Sequence, residues 1–250
     1  MPGSNVIALP TARCSQCPVR SNAVCCGLDD KECQELSGLM RHRCYKAGSS
    51  LFHQEDTSEL FAILISGTIK LTREGADGRC QIVGFLTEGD CLGELFHEVS
   101  HQGAECISDV VLCCFGRKEF EAYLKGHAQL EHRLLLGVMH QLDETREWLF
   151  TLGQLKAPER LASFLLWLRR KKEIVSGAAL LQPDDNMVGC PYTRQDIADF
   201  LGLTVETVSR NFTKFRQDNL INLHADKLIE ILDADALKRL ASTALPGAEF

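Results

Sequence analysis

The chain has 250 residues, enough for one or two domains that each bury a core. Its 34 acidic against 27 basic residues leave a net charge of -7, which excludes a protein coated in positive charge and confines any nucleic-acid contact to a local patch. No run of 18 apolar residues occurs and the first residues lack a charged start followed by an apolar core, so neither a membrane span nor a secretory leader is expected, and the expected location is cytoplasmic.

Residues 1–27 form a cysteine-rich lead-in. Twelve cysteines are a heavy load for an intracellular chain, where thiols serve as ligands, catalysts or buried apolar groups more often than as disulfides. Cys14-Ser-Gln-Cys17 is followed by Cys25-Cys26, a loop able to wrap three thiolates around one centre. A fourth ligand must come from Cys33, Cys44, Cys80, Cys91, Cys106, Cys190 or the tandem Cys113-Cys114. A structural zinc site typically adds a second close pair of ligands, whereas three clustered thiolates plus a distant one suit an iron-sulfur cluster at least as well. On spacing alone, cluster, zinc and no metal stay open.

Residues 28–125 read as short strands. Apolar or alternating runs at Leu51-Phe52, Leu60–Ile65, Thr68–Thr72, Gln81–Leu86 and Asp109–Phe115 are separated by turn chemistry at Lys46-Ala-Gly48, Ser66-Gly67, Asp77-Gly78 and Glu88-Gly-Asp90. That spacing predicts an antiparallel barrel or roll.

From residue 126 to 155 the period changes. Leu135, Val138, Leu142, Thr145, Leu149 and Leu152 recur at steps of three and four, the spacing of a coiled-coil seam, so this helix is expected to pair with a copy of itself. A helix packed on its own roll has the same stripe, and polar Thr145 weakens the seam. Residues 156–240 open with a helix from Pro158 that ends in the basic run Arg169–Lys172, read as a solvated helix end. Leu220–Leu223 and Leu228–Leu232 form a hairpin-like pair, and residues 241–250 a tail.

Between them lies Thr193–Arg210, two short helices joined at Gly202. Ile197, Ala198 and Leu201 give the first an apolar face, and Thr204 caps the second. Glu206, Ser209 and Arg210 project from the second helix, where Arg can pair with guanine and Glu can accept from cytosine. From Thr204 to Gln217 three basic residues, Arg210, Lys214 and Arg216, face one acid, Glu206. Double-stranded DNA is the expected partner, with Thr193, Arg194, Thr204, Glu206, Thr207, Ser209, Arg210 and Lys214 as the contact set. An ordinary helical hairpin with a solvated face is the alternative.

Taken together, the blocks resemble the Crp/Fnr transcription regulators over nearly the whole chain. The resemblance implies an α+β fold: an N-terminal β-roll of the cyclic-nucleotide-binding kind, a long dimerisation helix and a C-terminal winged helix-turn-helix. Leu201-Gly-Leu-Thr-Val-Glu-Thr-Val-Ser-Arg210 is similar to the recognition motif of the FNR branch, Glu-x-x-Ser-Arg. It implies Glu206, Ser209 and Arg210 as base readers of a palindrome with TTGAT-like half-sites. Leu130-Glu-His-Arg and Leu142-Asp-Glu-Thr-Arg-Glu-Trp148 resemble the FnrN-like subgroup, whose cysteines run C-x2-C-x7-C, as Cys14, Cys17 and Cys25 do. The family's fourth ligand falls at Cys113; Cys26 and Cys114 are the immediate neighbours of the inferred ligands. The resemblance thus implies an oxygen-labile [4Fe-4S] cluster on Cys14, Cys17, Cys25 and Cys113 that favours a DNA-binding homodimer. It further implies activation through RNA polymerase of genes for microaerobic respiration, denitrification or nitrogen fixation. The alternative is a regulator of the same family with zinc or no metal that answers thiol redox or another signal.

Two related chemistries are not expected. Gly93-Glu94-Leu95 resembles the phosphate cassette of cyclic-nucleotide sensors, but no Arg or Lys lies between Leu95 and Val110 to meet a phosphate, so no cyclic nucleotide is expected. His42, His53, His97 and His101 read as scattered surface residues rather than haem ligands. The chain lacks G-x-S-x-G, G-x-x-x-x-G-K-[ST] and G-x-G-x-x-G, and neither hydrolase nor zinc-peptidase chemistry is expected.

Overall fold

Residues 14–176 and 186–242 are described by the computed structural model. The lead-in starts with a short 3-10 turn at Cys14–Gln16, and then a helix, α1 (Asp30–Leu39), stands where the sequence predicts only strands. Its start is a capping box: Glu32 N donates to Asp29 at 2.8 Å and Asp29 N donates back to Glu32 at 2.9 Å. Only Cys33 and Leu36 are buried on it, too thin an apolar stripe for the period to announce a helix.

Eight antiparallel strands follow: β1 (Arg41–Tyr45), β2 (Ser50–Phe52), β3 (Leu60–Ser66), β4 (Ile69–Glu74), β5 (Cys80–Leu86), β6 (Cys91–Leu92), β7 (Gly103–Cys106) and β8 (Val110–Gly116). They form two four-stranded sheets, β1-β8-β3-β6 and β2-β7-β4-β5. Ala62, Leu64, Ile69, Leu92, Leu112 and Cys114 share one buried cluster inside this roll. The last part of the predicted strand block is α2 (Arg117–Leu124), a second helix that the sequence reading omits.

α3 (Ala128–Gln154) is 27 residues long and passes through the division between two compact units, Met1–Gln141 and Leu142–Phe250. Leu130, in its first turn, is fully buried, whereas Leu135 (56%), Val138 (52%), Leu142 (41%) and Leu149 (66%) stay exposed. Thr145 is exposed beside them and Leu152 is half-buried.

In the second unit α4 (Ala157–Ser176), β9 (Met187–Gly189), α5 (Arg194–Leu201), α6 (Val205–Gln217), β10 (Ile221–Leu223), β11 (Leu228–Ile231) and α7 (Ala234–Ser242) follow in order. The wing is a sheet of order β10-β11-β9. Asp226 and Lys227, both with positive φ (59° and 60°), turn the β10–β11 hairpin. The basic run is not a solvated helix end, because α4 continues to Ser176. Lys171 lies 3.5 Å from Glu144 and Arg170 lies 3.4 Å from Glu147, so these cations pack α4 on α3. α7 reaches Ser242, so the stretch read as tail begins helical; the remainder of 241–250 lies outside the described residues. Among the described residues no helix is long and apolar enough to cross a membrane.

Candidate cysteine cluster and nucleic-acid interface

Strand alternation decides where the tandem cysteines point. Cys113 pairs in register with His42 on one side and Ile63 on the other, and Ile63 pairs in turn with Cys91. Residues opposite one another across antiparallel strands share a face, so His42, Cys113, Ile63 and Cys91 form one row. The neighbouring row is Arg41, Cys114, Ala62 and Leu92, of which Cys114, Ala62 and Leu92 belong to the roll interior. Cys113 therefore looks out of the roll, and the lead-in covers it.

That cover is held by burial. Val19, Ala23, Val24 and Leu28 are buried in one apolar cluster with Cys113, Phe115, Phe120 and Leu130, and Cys14, Cys17 and Cys25 pack against it. Each large aliphatic side chain so buried contributes roughly 1.5–3 kcal/mol before chain-ordering costs are subtracted. Cys14, Cys17, Cys25, Cys33 and Cys113 line a cavity of ≈ 340 Å³, and Arg20 and His42 are the basic side chains at its wall. Cys26 and Cys114 do not line it. No disulfide joins the described cysteines.

Burial, followed by the neighbouring thiols, raises Cys25 from 9.0 to about 12; burial, followed by the thiols of Cys14, Cys114, Cys17 and Cys25, raises Cys113 further. The buried thiols thus favour their protonated forms, and a cation bound here must displace protons. Among the described residues no three of these sulfurs lie within 4.8 Å of one another. Tetrahedral zinc with Zn–S near 2.3 Å would hold them about 3.8 Å apart. All four predicted ligands converge on this cavity. Cys33, one of the fourth-ligand candidates, joins them, and the Cys91 thiol, another, is raised by burial first, then by Asp90 and Cys25.

The second site lies on the helix pair. Thr193 caps α5, accepting from Asp196 N at 3.0 Å, and Gly202 closes the helix at φ 60°, ψ 43°. Thr204 caps α6, accepting from Thr207 N at 3.2 Å. Val208, Phe212 and Phe215 turn inward, which leaves Glu206, Ser209, Arg210 and Lys214 exposed along the opposite face. Its own backbone amide and the Thr204 hydroxyl hold the Glu206 carboxyl below its usual range. Thr207 is half-buried, with its hydroxyl 3.5 Å from an Arg210 nitrogen. Arg194 stands apart from this row: its guanidinium is half-buried and stacked 3.4 Å over the Phe212 ring, where it ties α5 to α6.

The histidines are less scattered than the sequence reading holds. His97 and His101 meet edge to face at 5.1 Å, and His101 Nδ1 lies 2.5 Å from Glu94. The letters His97-Glu-Val-Ser-His101 spell H-E-x-x-H, a pattern that the reading of the sequence passed over and the signal that could have found them. On a helix that pattern is a zinc-peptidase signature, but here the segment is an irregular loop.

Residues 42–127 match the family model of the cyclic nucleotide-binding domain, and residues 159–240 that of the Crp-like helix-turn-helix domain. The transcriptional activator protein FnrL of Cereibacter sphaeroides is 34% identical over 224 residues, 88% of this chain and 88% of that one. The nitrogen fixation regulation protein FixK of Bradyrhizobium diazoefficiens is 35% identical over 230 residues, 92% of this chain and 94% of its own. The solved structure of FixK2 from Bradyrhizobium japonicum has a TM-score of 0.72 at 25% identity, covering 80% of this chain and 96% of that one.

Proposed function

Because the chain belongs to the Crp/Fnr family of transcription regulators, which bind DNA and act as dimers, we propose that it is an oxygen-responsive member of that family. In this reading Cys14, Cys17, Cys25 and Cys113 hold a [4Fe-4S] cluster. The observation that carries it is the convergence of these thiols on one cavity whose apolar surround includes Leu130, in the first turn of α3. When bound, the cluster supplies iron–thiolate bonds that oxygen can destroy.

The chain's own residues supply the rest. Cys14, Cys17 and Cys25 tie the lead-in to Cys113 on β8, and so keep Val19, Val24 and Leu28 packed with Leu130. With the tie released, apolar burial, the bond from Arg20 Nη2 to the Leu28 carbonyl (3.0 Å) and the bond from Asn22 Nδ2 to the Glu88 carbonyl (3.3 Å) hold the segment. The register of α3 then loses support, and with it the exposed seam from Leu135 to Leu149. Coupling of this kind is typically worth about 1–3 kcal/mol, enough to switch a dimer only when the seam is marginal. Thr145 makes it so.

At the DNA, Arg210, Glu206 and Ser209 read the TTGAT-like half-sites of a palindrome in the major groove, while Lys214 meets phosphate. The bound dimer acts mainly as an activator through RNA polymerase. Specific binding to a TTGAT palindrome, measured by fluorescence anisotropy at fixed salt, is expected without oxygen and is expected to fall toward the scrambled-duplex level in air. Equal affinity in both atmospheres would point instead to a regulator whose cysteines carry zinc or no metal.

A further inference from the structure

The loop between β6 and β7 brings together three side chains that the mechanism above does not use. One ligand atom each from Glu94, His97 and His101 lies within 4.8 Å of the other two. We propose that this triad is a binding site for one divalent transition-metal ion of the zinc type, separate from the cysteine cavity.

The donor set fixes the class of ion. Two neutral imidazoles with one carboxylate favour zinc, nickel, copper or ferrous iron over magnesium or calcium, which prefer all-oxygen cages. Metal–ligand distances near 2.0–2.2 Å place tetrahedral ligand atoms roughly 3.3–3.6 Å apart, a spacing inside the 4.8 Å limit within which all three already lie. His97 and His101 are exposed, so their side chains are free to adjust by rotation. An ion held by Glu94 and His101 replaces the bond between His101 Nδ1 and the Glu94 carboxylate (2.5 Å). Because the histidines face solvent, three protein ligands leave an open coordination position for water or a small anion.

The backbone that carries the triad is held in place before any ion arrives. Gly93 has φ +101°, and a Cβ there would come within 2.3 Å of the Leu60 carbonyl, so the chain can turn into the loop only at glycine. Ser58 Oγ donates to the Glu94 carbonyl at 3.2 Å, Phe96 N donates to Glu121 at 2.7 Å, and His101 N donates to Glu94 at 2.8 Å. Buried Arg117 locks this frame, reaching the Ser58 carbonyl at 2.6 Å and Glu121 at 3.0 Å. An incidental surface ion pair needs no such support; a preorganised ligand shell does. The carboxylate is supplied by Glu94, three residues before His97, and not by Glu98 of the H-E-x-x-H letters, so the site is a binding site without the peptidase geometry.

Cobalt(II) is the probe, because its visible spectrum separates nitrogen and oxygen ligands from thiolates. Full-length protein purified without oxygen is titrated with cobalt and compared with a His97→Gln/His101→Gln variant, with iron and sulfide measured in both. The expected result is one cobalt per chain with a nitrogen/oxygen spectrum in the parent, none in the variant, and equal iron and sulfide. Glu94→Gln is expected to weaken binding at least tenfold. Equal cobalt uptake by parent and double variant, a thiolate spectrum in both, or saturation only at millimolar cobalt would each overturn the proposal. Because iron and sulfide are counted separately, failure here is distinct from failure of the cluster reading.

Discussion

At the scale of single residues, the tandem Cys113-Cys114 is the sharpest test of geometry. Strand alternation aims Cys113 at the cavity and Cys114 into the roll, so Cys113→Ser is expected to lose the iron and sulfide that Cys114→Ser retains, as read by elemental analysis of anaerobic protein. The reverse pattern would shift the ligand by one residue. Arg210→Ala is expected to cost specific DNA binding roughly 1–3 kcal/mol and to relax discrimination at one base pair; a uniform loss on all duplexes with a shallower salt slope would make Arg210 a phosphate contact. Away from the cavity, burial raises the Cys190 thiol from 9.0 to about 11. A raised folded-state value means that the neutral thiol stabilises the fold fully below pH 9, and that this contribution is lost as the pH climbs from 9 toward 11. Thermal melting between those limits is expected to show a downward slope that Cys190→Ala makes shallower.

At the scale of elements, Gly202 and the α3 seam carry the predictions. Gly202 holds the left-handed conformation between α5 and α6, so Gly202→Ala is expected to destabilise the winged helix by about 1–2 kcal/mol in denaturant unfolding, with Gly202→Asn milder. Thr145→Leu is expected to strengthen self-association in air; an unchanged sedimentation coefficient would remove Thr145 from the seam. The helix pair was legible because its signals are local: a capping residue, a glycine turn and an apolar period all fall within Thr193–Arg210. α1 and α2 were not, because Asp30–Leu39 and Arg117–Leu124 bury few residues each and owe their place to packing on the roll. Arg170 and Lys171 in the basic run misled for the same reason: their partners Glu147 and Glu144 lie on another helix, which no local window contains.

At the scale of the whole molecule, the central claim is that one set of thiols governs a dimer. Three of the four proposed ligands were legible as a spacing, Cys14, Cys17 and Cys25, while Cys113 depended on a family resemblance, because only tertiary structure lays the lead-in over β8. The cavity also gathers Cys33, whose approach no linear motif encodes. The path to the seam is short: the apolar cluster that holds Cys113 also holds Leu130, at the start of the helix on which Leu135, Val138, Leu142 and Leu149 stand exposed. The most direct test is the visible absorbance and the iron and sulfide content of protein purified without oxygen, recorded again after air is admitted while DNA binding is followed on the same sample. The expected result is a brown protein with iron and sulfide in equal amounts, bleaching as specific binding is lost. A colourless protein with zinc or no metal, whose DNA binding ignores air, would contradict it.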